Sequence, residues 1–585
     1  MPQRSLSPFG PATIVGTLSL GQAFTALLAL LALIVVLVAD GAPVAGIVPL
    51  LPLVLLGLWR RDDLLAPPAR RGGIARGLPA RALVLAAVAA QLQLRGDLGA
   101  LALLVVLLAG GALAAEPMLR SLRRLARPFA ANLPGREDRN RPALPYGIVF
   151  PLSLLTLALL ALAGTFLPGP LTVLALVAAL ATVLLSLTAL ADCAGRIRER
   201  RRFQAQLPQV LTAMAPVFYL YWSAPARSAH QITMWLPHLE RLGVPFAIVV
   251  RTGENFRQAV AATAHPVILR RSLTDLEDLI VPSVRGVFYV NNAMLNTHMV
   301  RYSSLTHIQL LHGESDKAAS ATPVMRMYDR DFVAGQAAID RFARAGIEVR
   351  EDLFRIVGRP QVAQVQEARG PIAALEDPTV LYAPTWRGYQ TETDHSSLPH
   401  GPELVRALLR RGCRVVFRPH PQAAEDAQLR AACAEIRVLL REDTVATGRE
   451  HLHGPAAETE RDVIDCFNEA DAMISDVSAV VGDFLHSGKP LAMISPHLST
   501  EDFLDRYPTA HAAYVLAADG DCVPGLEQML DALLGQDPLA EQRRRVTVHH
   551  LGDIPREGYA DRFVEVSRAE LGLTPDQEMP HRSAG

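Results

Sequence analysis

Lysine is almost missing from this chain. Two residues, Lys317 and Lys489, stand against 55 arginines among 585 residues. This Arg-heavy usage follows from genome composition and makes the two lysines conspicuous. Cysteine is also sparse. Cys193, Cys413, Cys433, Cys466 and Cys522 form no CxxC pair and no metal-ligand cluster, which excludes a disulfide framework and a zinc site and suits a reducing compartment. No Walker A loop, no GxGxxG after a strand and no GxSxG elbow occurs, so nucleotide hydrolysis of the P-loop kind, hydride transfer and serine hydrolysis lose support.

What the chain does have is distributed unevenly. Half of its residues are hydrophobic, and its mean hydropathy is +0.21. Residues 1–203 carry 20 Arg and no Lys against 9 acids, and the remainder carries 37 basic against 49 acidic residues. A basic, apolar front and an acidic back predict a membrane-inserted domain followed by an aqueous one. The acidic balance of the back argues against nucleic-acid binding.

A membrane helix needs roughly 20 apolar residues. Six runs qualify as candidates: 18–38, 43–59, 81–94, 98–115, 147–167 and 171–191. The third is short and carries Gln91 and Gln93. The fifth and sixth are divided by Pro168-Gly169-Pro170, a turn that no helix would cross. Arginines crowd three connections: Arg60 to Arg76, Arg120 to Arg141, and Arg196 to Arg202. The other connections hold almost none. The positive-inside rule then predicts about six spans with both ends cytoplasmic, in a multi-pass protein of the cell (plasma) membrane. Four spans would leave the same final side. No intramembrane acid–base pair is legible, so the block 1–203 reads as an anchor rather than a transporter.

From about Leu207 the texture changes to short apolar runs alternating with amphipathic segments. "FYLYW", "FAIVV", "GVFYV" and "HIQLL" belong to a first series, and "TVLYA", "RVVF", "AMIS" and "LAMIS" to a second. Continuous apolar strands between helices indicate parallel sheets covered on both faces. The prediction is two Rossmann-like domains, 207–370 and 371–575, facing a cleft, with a tail at 576–585. The stretch 439–459 has weak periodicity and reads as a surface loop.

In open α/β sheets ligands sit at the carboxyl ends of strands, and four such ends carry polar residues. After "IQLL" come His312, Gly313 and Lys317, where a sharp turn, exposed amides and an ammonium suit a phosphate. After "VLY" comes "APTWR", whose Arg387 could hold phosphate with two hydrogen bonds. After "RVVF" comes Arg418-Pro-His-Pro, in which two prolines fix His420. After "AMI" come Ser475 and Asp476, then Ser478 at the start of a helix with free N–H groups, and Asp483 further along it. Each end also has a plain structural reading: a capping turn, a core tryptophan, a rigid loop, an N-cap. His395, His400, His451 and His453 lack acidic neighbours at metal spacing and read as solvated surface.

Taken in order, "HGESDK", "YAPTWR", "FRPHP" and "DVIDCFNEADAMISDVSAVVGDFLHSGKP" resemble the CDP-glycerol glycerophosphotransferase family, the teichoic acid primases and polymerases. The similarity covers roughly residues 280–500. The family pattern is H-G-x-x-x-K, Y-A-P-T-W-R, x-H-P and S/T-D-Y-S-S-x-x-x-D. Here the first motif reads "HGESDK" where the family has "HGTPLK". Val477 and Ala479 replace a tyrosine and a serine, Gly482 replaces an aromatic residue, and "VGRPQ" stands where the family has G-x-P-R-x-D. The resemblance implies a GT-B-like pair of Rossmann-like domains behind an added membrane anchor.

It also implies a reaction. An acceptor hydroxyl attacks the distal phosphorus of a CDP-polyol, and CMP leaves. His312 would be the base, and His420 would act on the diphosphate or leaving phosphate. Gly313, Lys317, Arg387, Arg418, Ser475, Asp476, Ser478 and Asp483 would bind or orient substrate. No metal or cofactor is implied. The partners are the CDP-polyol donor, a lipid-linked polymer acceptor and the membrane, with the catalytic domain cytoplasmic. Two other readings stay open: a GT-B glycosyltransferase using a nucleotide sugar, and a non-catalytic scaffold or export protein with a degenerate transferase domain.

Overall fold

A computed structural model describes residues 20–60, 76–125, 129–134, 146–166, 168–225, 228–313, 316, 321–388, 394–520 and 522–574. The chain divides into two compact units. The first comprises residues 1–129 and 137–207, the second 130–136 and 208–585.

The first unit is helical: α1 Leu20–Val38, α2 Leu50–Trp59, α3 Leu78–Leu94, α4 Ala100–Leu125, α5 Val149–Ala163, and α6, which begins at Pro168 and runs to Met214. Among the described residues three helical stretches are long and apolar enough to cross a membrane: Gly21–Val38, Ala100–Arg123 and Gly169–Met214. The other three candidates, Pro43–Trp59, Leu78–Leu94 and Val149–Ala163, are apolar but shorter. The outward faces expose Leu27, Leu31, Leu107, Val177 and Leu184, side chains that in a water-soluble bundle would be buried. Such a surface suits contact with lipid. The "PGP" turn forms the first residues of α6, where proline has no N–H to lose. The helix does not stop near Ala191 as expected but continues through the arginine-rich "RIRERRRF".

One expectation is overturned. The bundle does contain an acid–base pair. Arg81 of α3 donates to both carboxylate oxygens of Glu116 of α4, at 2.7 and 2.6 Å, and to Ser153 Oγ of α5 at 2.9 Å. Its Nε donates to the Arg76 carbonyl at 3.0 Å. Both side chains are almost wholly out of solvent. The pair escaped notice because its members lie 35 positions apart, one inside the weakest run and one just past the end of another. With its lone pairs filled, it joins three helices.

The second unit holds two sheets. The first has the order β1-β4-β3-β2-β5-β6-β7-β8. Its parallel strands are β2 Phe218–Trp222, β3 Phe246–Val250, β4 Val267–Leu269, β5 Gly286–Tyr289, β6 Thr306–Gln309, β7 Arg330–Val333 and β8 Phe354–Ile356. The edge strand β1, Ala130–Ala131, comes from the connection between α4 and α5 and pairs antiparallel with β4. The second sheet, wholly parallel, has the order β10-β9-β11-β12-β13. Its strands are β9 Thr379–Ala383, β10 Arg414–Phe417, β11 Ala472–Ser475, β12 Leu491–Ser495 and β13 Tyr514–Ala517. Alternate residues feed two cores: Leu381, Met473 and Met493 enter one, Val380, Ile474 and Ile494 the other. That alternation explains strands apolar at every position.

Four helices matter below: α7 Gln336–Arg344, α8 Ala479–Phe484, α9 Ala540–Leu551 and α10 Tyr559–Glu570. The last helix among the described residues, α10, returns to the first sheet. Phe563 packs its ring against Trp235 and Phe332, and Glu570 pairs with Arg330 and Arg355. The stretch expected to be a loop at 439–459 is instead largely helix. Ala427–Thr447 continues to the left-handed Gly448, and Pro455–Glu458 forms another turn of helix. The tail 576–585 lies outside the described residues.

Candidate active site

The site starts with the way β6 ends. Gln309 is fully buried. Its Oε1 accepts from the Leu310 and Leu311 N–H groups at 3.1 and 3.0 Å, and its Nε2 donates to the Asn291 carbonyl and Asn292 Oδ1 at 3.0 and 2.9 Å. The Leu310 N–H still reaches the Tyr289 carbonyl of β5, and the Gln309 amide takes up the groups just beyond it. Leu311 takes φ +53°, a left-handed conformation that a branched side chain resists. Trp235 Nε1 holds the Leu311 carbonyl at 2.6 Å. Strain at this residue, fixed from two sides, aims the next one.

That residue is His312. Its Nδ1 lies 2.9 Å from the Val290 carbonyl. A carbonyl only accepts, so Nδ1 carries the proton and Nε2 carries the lone pair. Nε2 has no hydrogen-bond partner among the described residues. One edge of the ring is exposed, yet the surrounding protein desolvates the rest and holds the pKa below the ordinary imidazole value. The Val290 carbonyl works in the opposite direction, and the charges of His230 and Arg359 add to the depression. The ring is therefore neutral at pH 7, the form a general base requires. The His230 ring stands edge-on to it, with centroids 6.1 Å apart, and its own pKa is lowered by burial.

Three motifs of the second sheet follow adjacent strands, β10, β9 and β11, so they emerge along one edge. His420 follows β10. Its Nδ1 accepts from the Gln422 N–H at 3.2 Å, which leaves the proton of the neutral ring on Nε2. The ring stacks on Trp386 at 5.9 Å with a 20° interplanar angle. In their neutral forms the two histidines thus take opposite tautomers: His312 has its lone pair at Nε2, His420 at Nδ1.

The remaining residues divide into those that lie where the two sheets meet and those spent on the fold. A Cβ on Gly313 would lie 3.2 Å from Ala479 Cβ, so the His-Gly turn of the first sheet abuts the start of α8 in the second. Ser478 occupies the N-cap position of α8, but its hydroxyl makes no capping bond. The helix has only six residues, so its dipole is small. Asp483 of α8 receives two bonds from Arg359, at 2.7 and 3.2 Å.

Asp476, expected to touch substrate, is fully buried and accepts from the Thr385 N–H and from both the N–H and hydroxyl of Ser397. Ser475 donates to the Ala383 carbonyl at 2.7 Å. Arg418 points to the Ala457 and Arg461 carbonyls. Arg387 pairs with Asp394 and Asp426 and donates to Gln428. In these positions the four serve the loops that carry the site. Lys317 lies outside the described residues. The other lysine, Lys489, is buried and donates to the Phe467 carbonyl. His400, expected on the surface, is buried instead, and the His451 side chain, expected there too, is withdrawn from solvent, bridging Val415 N–H and Asp443. Among the described residues no group of side chains could hold a metal ion.

Sequence reasoning missed two residues here. Arg359 is an almost completely buried arginine directly after β8, and its position at a strand end was a usable signal. His230 sits on a helical turn, His230–Thr233, and nothing local distinguished it.

Residues 350–507 match the family model described as CDP-Glycerol:Poly(glycerophosphate) glycerophosphotransferase. The matched segment, which carries three of the four motifs, is that of a CDP-glycerol glycerophosphotransferase-type enzyme. No curated protein matches the chain. Several solved structures are similar to part of the chain. A UDP-N-acetylglucosamine 2-epimerase is 14% identical, with 63% of this chain and 99% of that one covered and a TM-score of 0.39. MnaA of S. aureus in complex with UDP is 14% identical, covering 61% and 97%, with a TM-score of 0.40. The wall teichoic acid polymerase TagF is 10% identical, covering 64% and 95%, with a TM-score of 0.38.

Proposed function

We propose that this protein is a membrane-anchored transferase that moves a polyol phosphate from a CDP-polyol to the hydroxyl of a lipid-linked acceptor, releasing CMP, in synthesis of a teichoic-acid-like envelope polymer. The observation that carries the proposal is the pair of opposite imidazole tautomers at strand ends, set within and beside the family-matched segment. The acceptor hydroxyl gives its proton to His312 Nε2 as its oxygen forms the new bond to phosphorus. The phosphoanhydride bond breaks, and CMP departs with the electron pair. The Nε2–H of His420 stabilises the charge gathering on the leaving phosphate. Ser478 and the Ala479 amide offer donors to the diphosphate. Lys317 would add charge beside His312.

The helical block serves as a multi-pass anchor that keeps the cleft near a cytoplasmic-leaflet acceptor, raising its effective concentration. Its topology has a parity argument behind it. Residues 130–131 pair with β4 in the aqueous unit, and the chain rejoins that unit at residue 208. On this reading the stretch between them crosses the membrane an even number of times, with α5 and α6 as the crossing pair, and the arginine-rich connections support a cytoplasmic side and six spans in a plasma-membrane protein. The domain limits 1–203, 207–370 and 371–575 go with this reading.

Purified protein in nanodiscs with membrane lipid extract tests the reading. It is offered CDP-glycerol, CDP-ribitol and a panel of UDP- and GDP-sugars. CMP release that vanishes in His312→Ala is the expected result. UDP or GDP release without CMP would transfer the protein to the nucleotide-sugar glycosyltransferases.

A further inference from the structure

The stretch that departs from the family's first motif contains a residue with a job of its own. Asp316 lies four positions after His312, and its side chain is only 1% exposed. Oδ2 accepts from the Thr509 N–H at 2.9 Å and from the Thr509 hydroxyl at 2.6 Å. Oδ1 has no hydrogen bond among the described residues and faces Arg341 Nη2 of α7 at 3.9 Å. Thr509 belongs to the turn Pro508–Ala512, between β12 and β13 of the second sheet, while Arg341 belongs to the first-sheet series.

A carboxylate withdrawn from water is costly unless its lone pairs are filled. Here Oδ2 is filled across the boundary between the two sheets, and Oδ1 faces the Arg341 guanidinium. The His-Gly turn is thereby held at two points: Gln309 grips its start on β6, and Asp316 ties its far side to the second sheet. Between these anchors Gly313 lies close to Ala479, where an added Cβ would stand 3.2 Å from the Ala479 Cβ. A residue without an acceptor in place of Asp316 would leave the turn anchored at one end only.

We propose that Asp316 is a positioning residue, acting through the His312 turn by docking it on Thr509 so that Nε2 is presented to the second sheet before substrate arrives. This rests on the transferase reading above. The effect belongs to geometry, and misplacing a base by about 1 Å costs up to roughly 100-fold.

The test compares Asp316→Ala, Asp316→Asn, Thr509→Val and the Asp316→Ala/Thr509→Val double variant, all full-length in nanodiscs. In CMP release, Asp316→Ala lowers kcat about 10- to 100-fold, with the KM for the CDP-polyol changed far less. Asp316→Asn keeps an acceptor for Thr509 and recovers most of the activity. The double variant is no worse than Asp316→Ala, because both changes open the same contact. Hydrogen exchange at residues 310–313 quickens in Asp316→Ala and Thr509→Val, with the strands unchanged. Wild-type kcat in Asp316→Ala, an asparagine variant as impaired as the alanine one, or additive losses in the double variant would overturn the proposal. If wild-type protein releases no CMP from any donor, the transferase reading fails instead. Exchange at 310–313 then still decides the docking, and unchanged exchange in both single variants refutes it.

Discussion

The Arg359–Asp483 pair makes the sharpest demand on this account. It links the residue after β8 to α8 and lies close enough to His312 to influence its proton affinity. Arg359 is 5% exposed and Asp483 17%. Removing one partner of a fully buried pair costs about 3–5 kcal/mol. The residual exposure of Asp483 lets water reach it, which lowers the expectation to about 2–4 kcal/mol. In a unit of this size that is a fall in Tm of about 2–6 °C. Both Arg359→Gln and Asp483→Asn should therefore lower Tm by similar amounts.

Their effects on the pH profile should be opposite. Desolvation is the main reason that the His312 pKa lies below the ordinary value, and the Arg359 charge is a lesser one. Asp483→Asn strips Arg359 of its counter-charge, so its repulsion of an imidazolium grows and the His312 pKa falls further. Arg359→Gln removes the repulsion and the pKa rises. A base works when neutral, so activity is lost as pH falls through its pKa. The acid limb of kcat/KM for CMP release therefore moves to lower pH in Asp483→Asn and to higher pH in Arg359→Gln. Shifts in the same direction, or none with both proteins folded, would refute His312 as the titrating base beside this pair.

Other consequences are simpler to measure. His238 packs between Trp235 and Phe563, and burial, helped by the charges of Arg241 and Arg359, lowers its pKa from 6.5 to about 4. The unfolded chain binds that proton more tightly, so stability should rise from pH 4 to pH 6.5 by up to about 3 kcal/mol from this group; thermal melts of His238→Phe should show a flatter slope across that window. Asp476→Asn should lower Tm by disturbing the bonds from Thr385 and Ser397, yet leave the donor KM unchanged; a raised KM at unchanged Tm would return Asp476 to the binding site. Gly482→Ala would set a Cβ 2.4 Å from His550 Nε2 and should cost about 1–3 kcal/mol in denaturant unfolding.

The parts of this molecule visible in the sequence are those written locally. Strand after strand announces itself as a short apolar run between helices, and the rule that ligands gather at carboxyl ends singled out the turns after β6, β9, β10 and β11. That rule names a strand end, but not which of its polar side chains looks outward. Where both faces of a sheet are buried, alternation carries no outside. Ser475 and Asp476 are consecutive and both turn inward, Ser475 to the carbonyl of Ala383 at the end of β9 and Asp476 to the N–H of Thr385 just beyond it. The partners that decide such cases are distant: 124 positions for Arg359 and Asp483, 35 for Arg81 and Glu116. Gly482 shows the same limit from the other side. Read along the chain, it is an aromatic residue lost from the family motif, which suggests a loosened site. In space the room beside it is filled by the buried imidazole of His550, carried on α9. Position 482 takes glycine because a ring carried on another element already occupies the space a side chain would need. A motif read residue by residue scores that exchange as decay, while in the packed structure the space is filled from elsewhere in the chain.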